Sequence, residues 1–409
     1  MLKKTKIFLL IYSLLIGFFL FPQLIYAGGL HFIAYGDTRQ NIQTMEKPQR
    51  KHDAIAKVIS QMEPDFVLFS GDMIYYNEFD RFLEIIARNY AGEKMIPLYP
   101  AIGNHEIIVT EKVDSLIREI MEIIQKEEIH LSAATMENML TASKLKDLWL
   151  KLSEEIASMK ESQIKTRSHQ VLHKEFKDRL DPAYTSYLNE VLDDGANGRS
   201  WYSFLRKVNG LNIKFIVLNS LLPDDEEQLQ WFLEELKHFG GPKVVLQHYP
   251  PYSIGNYGYK SLTDKQSWEY RFRERYTRFF NDVSNNIVLI MSGHDHNYQR
   301  IGRVDESGNV QIPVYVITGG GGADLSGTGE YNISEISFDG FRCMEFSTAY
   351  HFLDIIADTD DKNNILLECK VFGLRYDITK GLPCDDTFVR EFEKDHLELI
   401  DQFMIRCQK

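Results

Sequence analysis

Cysteine is scarce in this sequence: four of the 409 residues are cysteine, and all lie in a C-terminal region, residues 340–409. They are Cys343, Cys369, Cys384 and Cys407. No two form a Cys-x-x-Cys pair, which argues against a zinc site built from thiolates. In an oxidising compartment these residues predict up to two disulfides, with three possible pairings, and free buried thiols are the alternative.

Basic residues are fewer than acidic ones, 46 against 59, so the net charge is −13. Residues 1–27 contain three lysines and no acidic residue, so their removal would leave 43 basic residues against 59 acidic ones, a net charge of −16. Proteins that bind nucleic acid regardless of sequence rely on a basic surface. The composition therefore argues against a nucleic-acid-binding surface.

The N-terminal apolar run, residues 7–21, is shorter than the roughly twenty residues that a membrane-spanning helix needs. Three lysines precede it and a cleavage region, residues 22–27, follows it, which is the pattern of a signal peptide. We therefore predict that residues 1–27 are cleaved and that residues 28–409 are exported, to the periplasm or the medium. An uncleaved segment would instead anchor the protein in the membrane.

Several short apolar runs end at residues that can carry out chemistry. They are LHFIAYGD, ending at Asp37; PDFVLFSGD, ending at Asp72; MIPLYPAIGNHE, with Asn104 and His105; KVVLQHYPP, with His248; and NNIVLIMSGHDH, with His294 and His296. Continuous hydrophobicity is typical of strands buried on both faces. Helical segments lie between some of these runs, for example HDAIAKVISQM and DEEQLQWFLEELKHFGG, which closes on Gly240 and Gly241. The alternation predicts an α/β core.

Ligands of such cores lie beyond the carboxyl ends of the strands, where the loops converge. We therefore expect the five loops to bring their Asp, Asn and His side chains to one place. A later strand, VYVITGGGGADL, ends in four glycines but lacks the Lys-Ser/Thr of a nucleotide-binding loop. We interpret it as a tight turn at the rim of the site.

Residues 108–180 differ from the rest of the chain, because they contain no proline and place apolar residues such as Val113, Leu116, Ile117 and Ile120 at helical spacing. The pattern predicts a helical hairpin or cap inserted between core strands. Its apolar stripe packs on the core, or the insertion forms a lid or a surface for a partner protein. The sequence leaves these alternatives open.

Asp, Asn and His side chains without clustered cysteines suit metal ions that accept oxygen and imidazole ligands. Two such ions roughly 3.5 to 4 Å apart can hold the attacking and the leaving oxygen of a phosphoryl transfer and lower the pKa of a bound water. A carboxylate is the natural bridge, because its two oxygens can serve two cations. Asp72, in the middle of the series, is the expected bridge.

Five blocks of residues carry a resemblance to a known family. They are GDTR at 36–39, GDMIY at 71–75, GNHE at 103–106, VLQH at 245–248 and GHDH at 293–296. In this order they resemble the calcineurin-like metallophosphoesterases, and in detail the purple acid phosphatase branch, over roughly residues 30–325. The resemblance implies an α/β fold, a β-sandwich of two mixed sheets flanked by helices, here with the helical insertion.

The resemblance also implies roles for individual residues. The implied metal ligands are Asp37 and His296 for the first ion, Asn104, His248 and His294 for the second, and Asp72 as the bridge. His105 would contact the substrate phosphate and protonate the leaving group. Glu106 would support the ligands from behind by orienting an imidazole.

Two positions, Arg39 and Tyr75, bear on the first metal. Much of the superfamily has a histidine ligand where this chain has Arg39, whose permanent charge repels a cation. The purple branch instead uses a tyrosine three residues after the bridging aspartate, where Tyr75 stands, although it normally has glycine at the position of Arg39. A phenol with a pKa near 10 binds as phenolate only to a strongly Lewis-acidic ion, which favours Fe(III).

Each of these positions has a second interpretation. Tyr75 would be a ligand or one of several packed aromatics, and Arg39 would hold two oxygens of the substrate phosphate or form a surface ion pair. The implied cofactors are two metal ions, with Fe(III) favoured at the first position and Fe, Zn or Mn at the second.

The predicted function is that of an exported binuclear metal-dependent phosphoesterase. It would hydrolyse phosphate monoesters of small molecules by attack of a metal-bound hydroxide, in the manner of an acid phosphatase. One alternative is a phosphodiesterase or nucleotidase of the same superfamily. Another is a secreted interaction protein that binds a partner through the helical insertion and keeps the metal site for stability.

Overall fold

The structure is a computed structural model, and it describes the greater part of the chain. The described residues are 29–39, 49–73, 79–91, 96–106, 119, 147–148, 150–151, 199–258, 260–306, 310–328, 340–375 and 392–407. The predicted signal peptide, Tyr75 and Cys384 lie outside them. So does most of the predicted insertion 108–180, of which the few described residues are helical.

Thirteen strands run through the described residues. They are β1 Leu30–Tyr35, β2 Phe66–Phe69, β3 Leu98–Pro100, β4 Tyr202–Val208, β5 Leu211–Val217, β6 Lys243–Leu246, β7 Ile287–Ser292, β8 Tyr298–Val304, β9 Val310–Thr318, β10 Arg342–Ser347, β11 Ala349–Thr359, β12 Ile365–Arg375 and β13 Glu398–Cys407. The helices are α1 Arg50–Gln61, α2 Phe79–Tyr90, α3 Glu226–His238, α4 Lys260–Thr263 and α5 Trp268–Phe280, with 3₁₀ turns at Asn104–Glu106, Val283–Asn285 and Lys394–His396.

The strands form two mixed sheets. The first sheet has the order β13-β12-β11-β1-β2-β3, with β1, β2 and β3 parallel and the C-terminal strands antiparallel. The second has the order β10-β8-β9-β7-β6-β5-β4, with β5, β6, β7 and β9 parallel. The predicted fold class, α/β with two mixed sheets flanked by helices, is therefore confirmed.

Buried aromatic residues of β1 and β2 cover both faces of the first sheet, because Phe66 and Phe69 are three positions apart on β2 and point to opposite faces. Phe32 and Phe66 stack with ring centroids 5.2 Å apart, and each meets Phe215 of β5 edge-on at 5.2 Å. On the opposite face, Phe69 packs edge-on against Phe82 of α2 at 5.4 Å. One face of the sheet therefore buries its side chains against the second sheet, and the other against helices.

The outer face of the second sheet is covered by α3 and α5. Ile216, Val245 and Ile290 of the sheet share a buried cluster with Phe232 of α3 and Phe272 of α5. Each helix begins at a polar cap, because the Asp225 side chain accepts a hydrogen bond from the backbone of Gln228 and Ser267 accepts one from Tyr270. The first of these helices ends at His238, close to the glycine pair at which the sequence predicts its end.

The C-terminal cysteines do not form the two predicted disulfides. Cys343, Cys369 and Cys407 are free thiols, and Cys369 and Cys407 are buried. Strand pairing gives the physical reason, because Cys369 lies opposite Phe403 and Cys407 lies opposite Ile365, so the two are not register partners. The alternative of free thiols therefore holds for these three residues.

One polar contact ties the C-terminal strand of the first sheet to the second sheet. The Asp401 carboxylate of β13 accepts a hydrogen bond from the Tyr298 hydroxyl at 2.7 Å and two from the Arg300 guanidinium at 2.6 and 3.2 Å. The Arg300 and Asp401 side chains are 12% and 8% exposed.

Among the helices of the described residues, none has the length and hydrophobicity of a membrane span.

Replacing Asp401 with Ala leaves the Arg300 charge and the Tyr298 hydroxyl without this acceptor. We expect the free energy of unfolding to fall by about 2 to 4 kcal/mol, measured by urea unfolding with tryptophan fluorescence. The control is Glu234→Ala, which removes an exposed surface pair with Lys237 and should change it by less than about 0.5 kcal/mol. Equal effects of the two changes would contradict the assigned role of Asp401.

Candidate metal centre

The five loops with Asp, Asn and His side chains converge, as predicted. Asp37 follows β1, Asp72 follows β2, and Asn104 opens the 3₁₀ turn after β3. His248 follows β6, and the pair of histidines follows β7. The carboxyl ends of the parallel strands of both sheets therefore meet at one edge of the sandwich, which is where α/β proteins place their sites.

One group of potential ligand atoms consists of Asp37, Asp72 and His296. One atom of each lies within 4.8 Å of the others, and all three residues are buried. His296 Nδ1 lies 2.8 Å from the carbonyl of Asp324, so this nitrogen carries the proton and Nε2 presents its lone pair. That lone pair faces Asp37 Oδ1 at 3.7 Å.

A second group consists of Asp72, Asn104 and His248. His248 Nδ1 lies 2.8 Å from the carbonyl of Ser70, which again leaves a lone pair on Nε2. That nitrogen lies 2.9 Å from Asn104 Oδ1 and 3.4 Å from Asp72 Oδ1. His248 Nε2 thus lies close to two oxygens that also carry lone pairs, an arrangement that a cation would stabilise.

His294 lies beside both groups. Its backbone N–H lies 3.0 Å from each Asp37 oxygen, and its ring centroid lies 5.2 Å from that of His248. Its Nε2 lies 3.6 Å from Oε1 of Glu269, a buried residue of α5. Glu269 could not be predicted from the sequence, because an acidic residue in the first turn of an amphipathic helix does not by itself indicate a role at a metal site.

The backbone at three of these residues adopts a conformation that side chains disfavour. Asp37, Asp72 and His294 have φ of 57°, 55° and 71°. Hydrogen bonds hold the first two loops together, because the Asp37 N–H donates to the Gly71 carbonyl at 2.9 Å and the Thr38 N–H to the Asp72 carbonyl at 3.1 Å. Such strained positions cluster at functional sites, where the surrounding structure enforces them.

Glu106 lies behind the ligands, and its predicted role in orienting an imidazole stays a prediction. Its carboxylate accepts hydrogen bonds from three backbone N–H groups. The donors are Gly103 at 2.6 Å, Asp72 at 3.0 Å and Met73 at 2.7 Å. Glu106 therefore joins the loop after β3 to the loop after β2 and holds the backbone of Asp72.

Burial and neighbouring charges shift the pKa values of the side chains at the site. Burial, and after it the negative charge of Asp72, raises the pKa of Asp37 well above its ordinary value and raises that of Glu106 to about 8. Burial acts to raise the pKa of Asp72 as well, but His248, His105 and Arg39 outweigh burial and lower it. Burial also lowers the pKa of His248 to about 4 and that of His296 well below its ordinary value. The imidazoles are therefore neutral, the form in which they bind metals.

Arg39 and His105 lie at the same place. The Arg39 Nε lies 3.2 Å from Asp72 Oδ2, and its Nη2 lies 3.4 Å from His296 Nε2. Arg39 therefore forms an ion pair with a buried carboxylate. His105 donates its backbone N–H to Asp72 Oδ1 at 3.0 Å, and its Nε2 lies 3.8 Å from Asp72 Oδ2.

Two neighbouring segments support the loops without contributing ligands. Asp295 points away from the ligand groups, and its carboxylate accepts hydrogen bonds from Ser253 at 2.5 Å, Tyr257 at 2.8 Å and Gly258 at 2.9 Å. The glycine-rich turn after β9 lies directly on the site, since the Ala323 N–H donates to the Asp37 carbonyl at 2.8 Å. This contact agrees with the interpretation of a tight turn at the rim.

The donor set of the two groups fits metal ions that take mixed oxygen and nitrogen ligands. It comprises two carboxylates, an amide oxygen and two imidazole nitrogens whose tautomers are set by backbone carbonyls. Such sites suit zinc, iron or manganese. Tyr75, the predicted phenolate ligand, lies outside the described residues.

A comparison with protein families identifies the family of the chain. Residues 30–298 match the family model of the calcineurin-like phosphoesterases. The chain belongs to this family. The ligand groups described above lie in the matched part of the chain, and the C-terminal strands β9 to β13 lie beyond it. The comparison with curated protein sequences gave no match.

Two solved structures are similar to this chain. One is a purple acid phosphatase, PPD1, isolated from yellow lupin (Lupinus luteus) seeds, with 14% identity and a TM-score of 0.49, covering 92% of this chain and 53% of that chain. The other is PhoD, with 13% identity and a TM-score of 0.45, covering 86% of this chain and 71% of that chain. The chain thus spans about half the length of the lupin structure that it matches.

Replacing Glu106 with Gln exchanges one acceptor oxygen for an amide that opposes a backbone N–H. We expect the Asp72 loop to loosen and the affinity for Zn²⁺ to fall by about 10- to 100-fold, measured by equilibrium dialysis of the metal-free protein. Glu234→Gln, on the exposed surface of α3, is the matched control and should leave the affinity unchanged. An unchanged affinity in Glu106→Gln would show that this carboxylate does not position the ligands.

Proposed function

We propose that this protein is an exported binuclear metal-dependent phosphoesterase that hydrolyses phosphate monoesters. The observation that carries the proposal is the shared position of Asp72, whose carboxylate belongs to both groups of donor atoms. Asp37 and His296 would complete one cation site, and Asn104 and His248 the other, with His294 at the second. This division supports a bridged pair of cations.

Two cations at these positions would supply Lewis acidity toward phosphate oxygens and a nucleophile derived from water at neutral pH. The protein's part is to hold the donors in place before substrate arrives. Backbone carbonyls orient the His248 and His296 rings, and Glu106 holds the backbone of Asp72. We propose Fe(III) at the first position, with Tyr75 as its further ligand, and Fe, Zn or Mn at the second.

Three of the proposed ligands are more deeply buried than the two residues that would meet the substrate. Asp37, Asp72 and His248 are at most 1% exposed, whereas the side chains of Arg39 and His105 are 15% and 21% exposed. We propose that the planar guanidinium of Arg39 holds two oxygens of the substrate phosphate. His105 would then donate a proton to the leaving oxygen as general acid.

The same two side chains favour a monoester over a diester. A phosphate monoester carries one more negative charge than a diester near neutral pH, and donors from both Arg39 and His105 would compensate it. The proposed substrates are small phosphorylated molecules, and a phosphodiesterase or nucleotidase is the alternative. The ratio of turnover rates on an aryl phosphate and the corresponding diester, measured over a range of pH, separates the two.

Two further parts of the proposal rest on the sequence. The basic and apolar pattern of residues 1–27 supports export, with membrane anchoring as the outcome if that segment is retained. The helical pattern of residues 108–180 supports a cap on the core, and we propose that it acts as a lid or as a surface for a partner protein.

Asn104→Ala and His294→Ala each remove a proposed ligand of the second cation. We expect turnover of an aryl phosphate to fall below about 1% of wild type, because the donors that remain cannot fix that cation. His238→Ala serves as control, since this imidazole lies 68% exposed on the surface of α3, and it should retain full activity. Unchanged turnover in both ligand variants would overturn the proposed function.

Tyr75→Phe tests the identity of the first cation. A phenolate bound to Fe(III) gives a charge-transfer band in the visible spectrum, and the variant, which lacks the phenolic oxygen, should lose this band while retaining iron. Elemental analysis of both proteins accompanies the spectra. An active protein without iron and without colour would exclude Fe(III) and leave the family's other metals.

A further inference from the structure

Arg39 occupies the place of a cation between two donor atoms. Its Nε lies 3.2 Å from Asp72 Oδ2, and its Nη2 lies 3.4 Å from His296 Nε2. Because the His296 Nδ1 proton is directed to the Asp324 carbonyl at 2.8 Å, Nε2 has a lone pair that accepts from the guanidinium. Arg39 thus contacts one atom from each of two proposed ligands of the first cation.

The two oxygens of Asp72 face different surroundings. Oδ2 faces Arg39, whereas Oδ1 lies 3.4 Å from His248 Nε2 and accepts the backbone N–H of His105 at 3.0 Å. His248 Nε2 in turn lies 2.9 Å from Asn104 Oδ1. The group around Oδ1 therefore offers lone pairs to a cation, while the lone pairs around Oδ2 are already directed at a positive charge.

We propose that Arg39 competes with the first metal ion for Asp72 and His296, so that the two metal sites fill in order. This inference rests on the proposed binuclear function. The guanidinium never loses its charge near neutral pH, and it cannot remain in contact with these atoms while a divalent or trivalent ion binds them. The second site, with Asn104 and His248, fills first, and the first site fills only as Arg39 moves away.

Competition links metal loading to substrate binding. An Arg39 side chain displaced from Asp72 keeps its backbone beside the site and can direct its guanidinium to phosphate oxygens. Phosphate at the opening then holds Arg39 away from the first site and should strengthen metal binding there. By reciprocity, the first metal should strengthen phosphate binding by the same factor.

A different role for Arg39 makes the opposite prediction. If the guanidinium helped to organise the ligands, as Glu106 does through the Asp72 backbone, its removal would weaken metal binding. Competition instead requires that removal strengthens binding at one site. The sign of the change therefore distinguishes the two roles.

The test is a titration of metal-free protein with Zn²⁺ in equilibrium dialysis, with bound metal counted by elemental analysis. Wild type should bind one ion tightly and a second at least about tenfold more weakly. Arg39→Ala should tighten the weak site by about tenfold or more and leave the tight site unchanged. Arg39→Lys, which keeps the charge on a side chain without a fork, should lie between them.

Three controls assign the sites. His296→Ala in the Arg39→Ala background should remove the tightened site, and His248→Ala should remove the tight one. Arg88→Ala deletes an exposed arginine that pairs with Asp53 and should change neither affinity. Thermal unfolding of the metal-free variants shows whether each is folded. Inorganic phosphate should increase the Zn²⁺ affinity of the weak site in wild type but not in Arg39→Ala.

The outcomes are distinct. Weaker or unchanged binding at both sites in Arg39→Ala would overturn the competition, even with two ions bound to wild type. Absence of metal binding in folded wild type and folded Arg39→Ala alike would overturn the proposed function itself.

Discussion

Asp72 imposes the constraint on which the rest of the site depends: a carboxylate that is 1% exposed has to direct its two oxygens to two different groups of side chains. Burying that charge is costly unless other groups compensate it. The backbone at Asp72 is left-handed, and three backbone N–H groups donate to Glu106 and hold the loop. Backbone carbonyls set the tautomers of the neighbouring imidazoles. The neighbouring His248, His105 and Arg39 also outweigh burial and lower the pKa of the carboxylate.

This constraint explains the architecture around the site. Asp72 belongs to the first sheet and His248 to the second, so the carboxylate and the imidazole approach to 3.4 Å only if the two sheets keep their relative position. The edge-on aromatic contacts between the sheets and the buried Asp401 contact maintain that position from the interior and from the C-terminal strand. The C-terminal strands therefore support the site, although they contribute no ligand to the groups described.

Local sequence patterns predicted much of the site and less of its surroundings. The strands of the α/β core and the convergence of Asp37, Asp72, Asn104 and the histidines follow from apolar runs that end in polar residues. Glu269 and the carbonyl of Asp324 could not be predicted, because they approach the histidines only through tertiary packing. The bonds from backbone N–H groups to Glu106 and the strand register that keeps Cys369 and Cys407 from pairing depend on tertiary structure in the same way. Tyr75 stays a prediction.

Arg39, where the superfamily often has histidine, changes the charge of the site as well as the number of its ligands. A histidine at this position would add a neutral donor to the first site, whereas arginine adds a fixed positive charge that reaches Asp72 and His296. The charge stabilises the buried carboxylates while metal is absent, so the site need not depend on metal for its folding. The same charge opposes the first ion, and an anionic substrate is the ligand that resolves this conflict by drawing the guanidinium outward. The arrangement therefore favours a fully loaded site when phosphate is present.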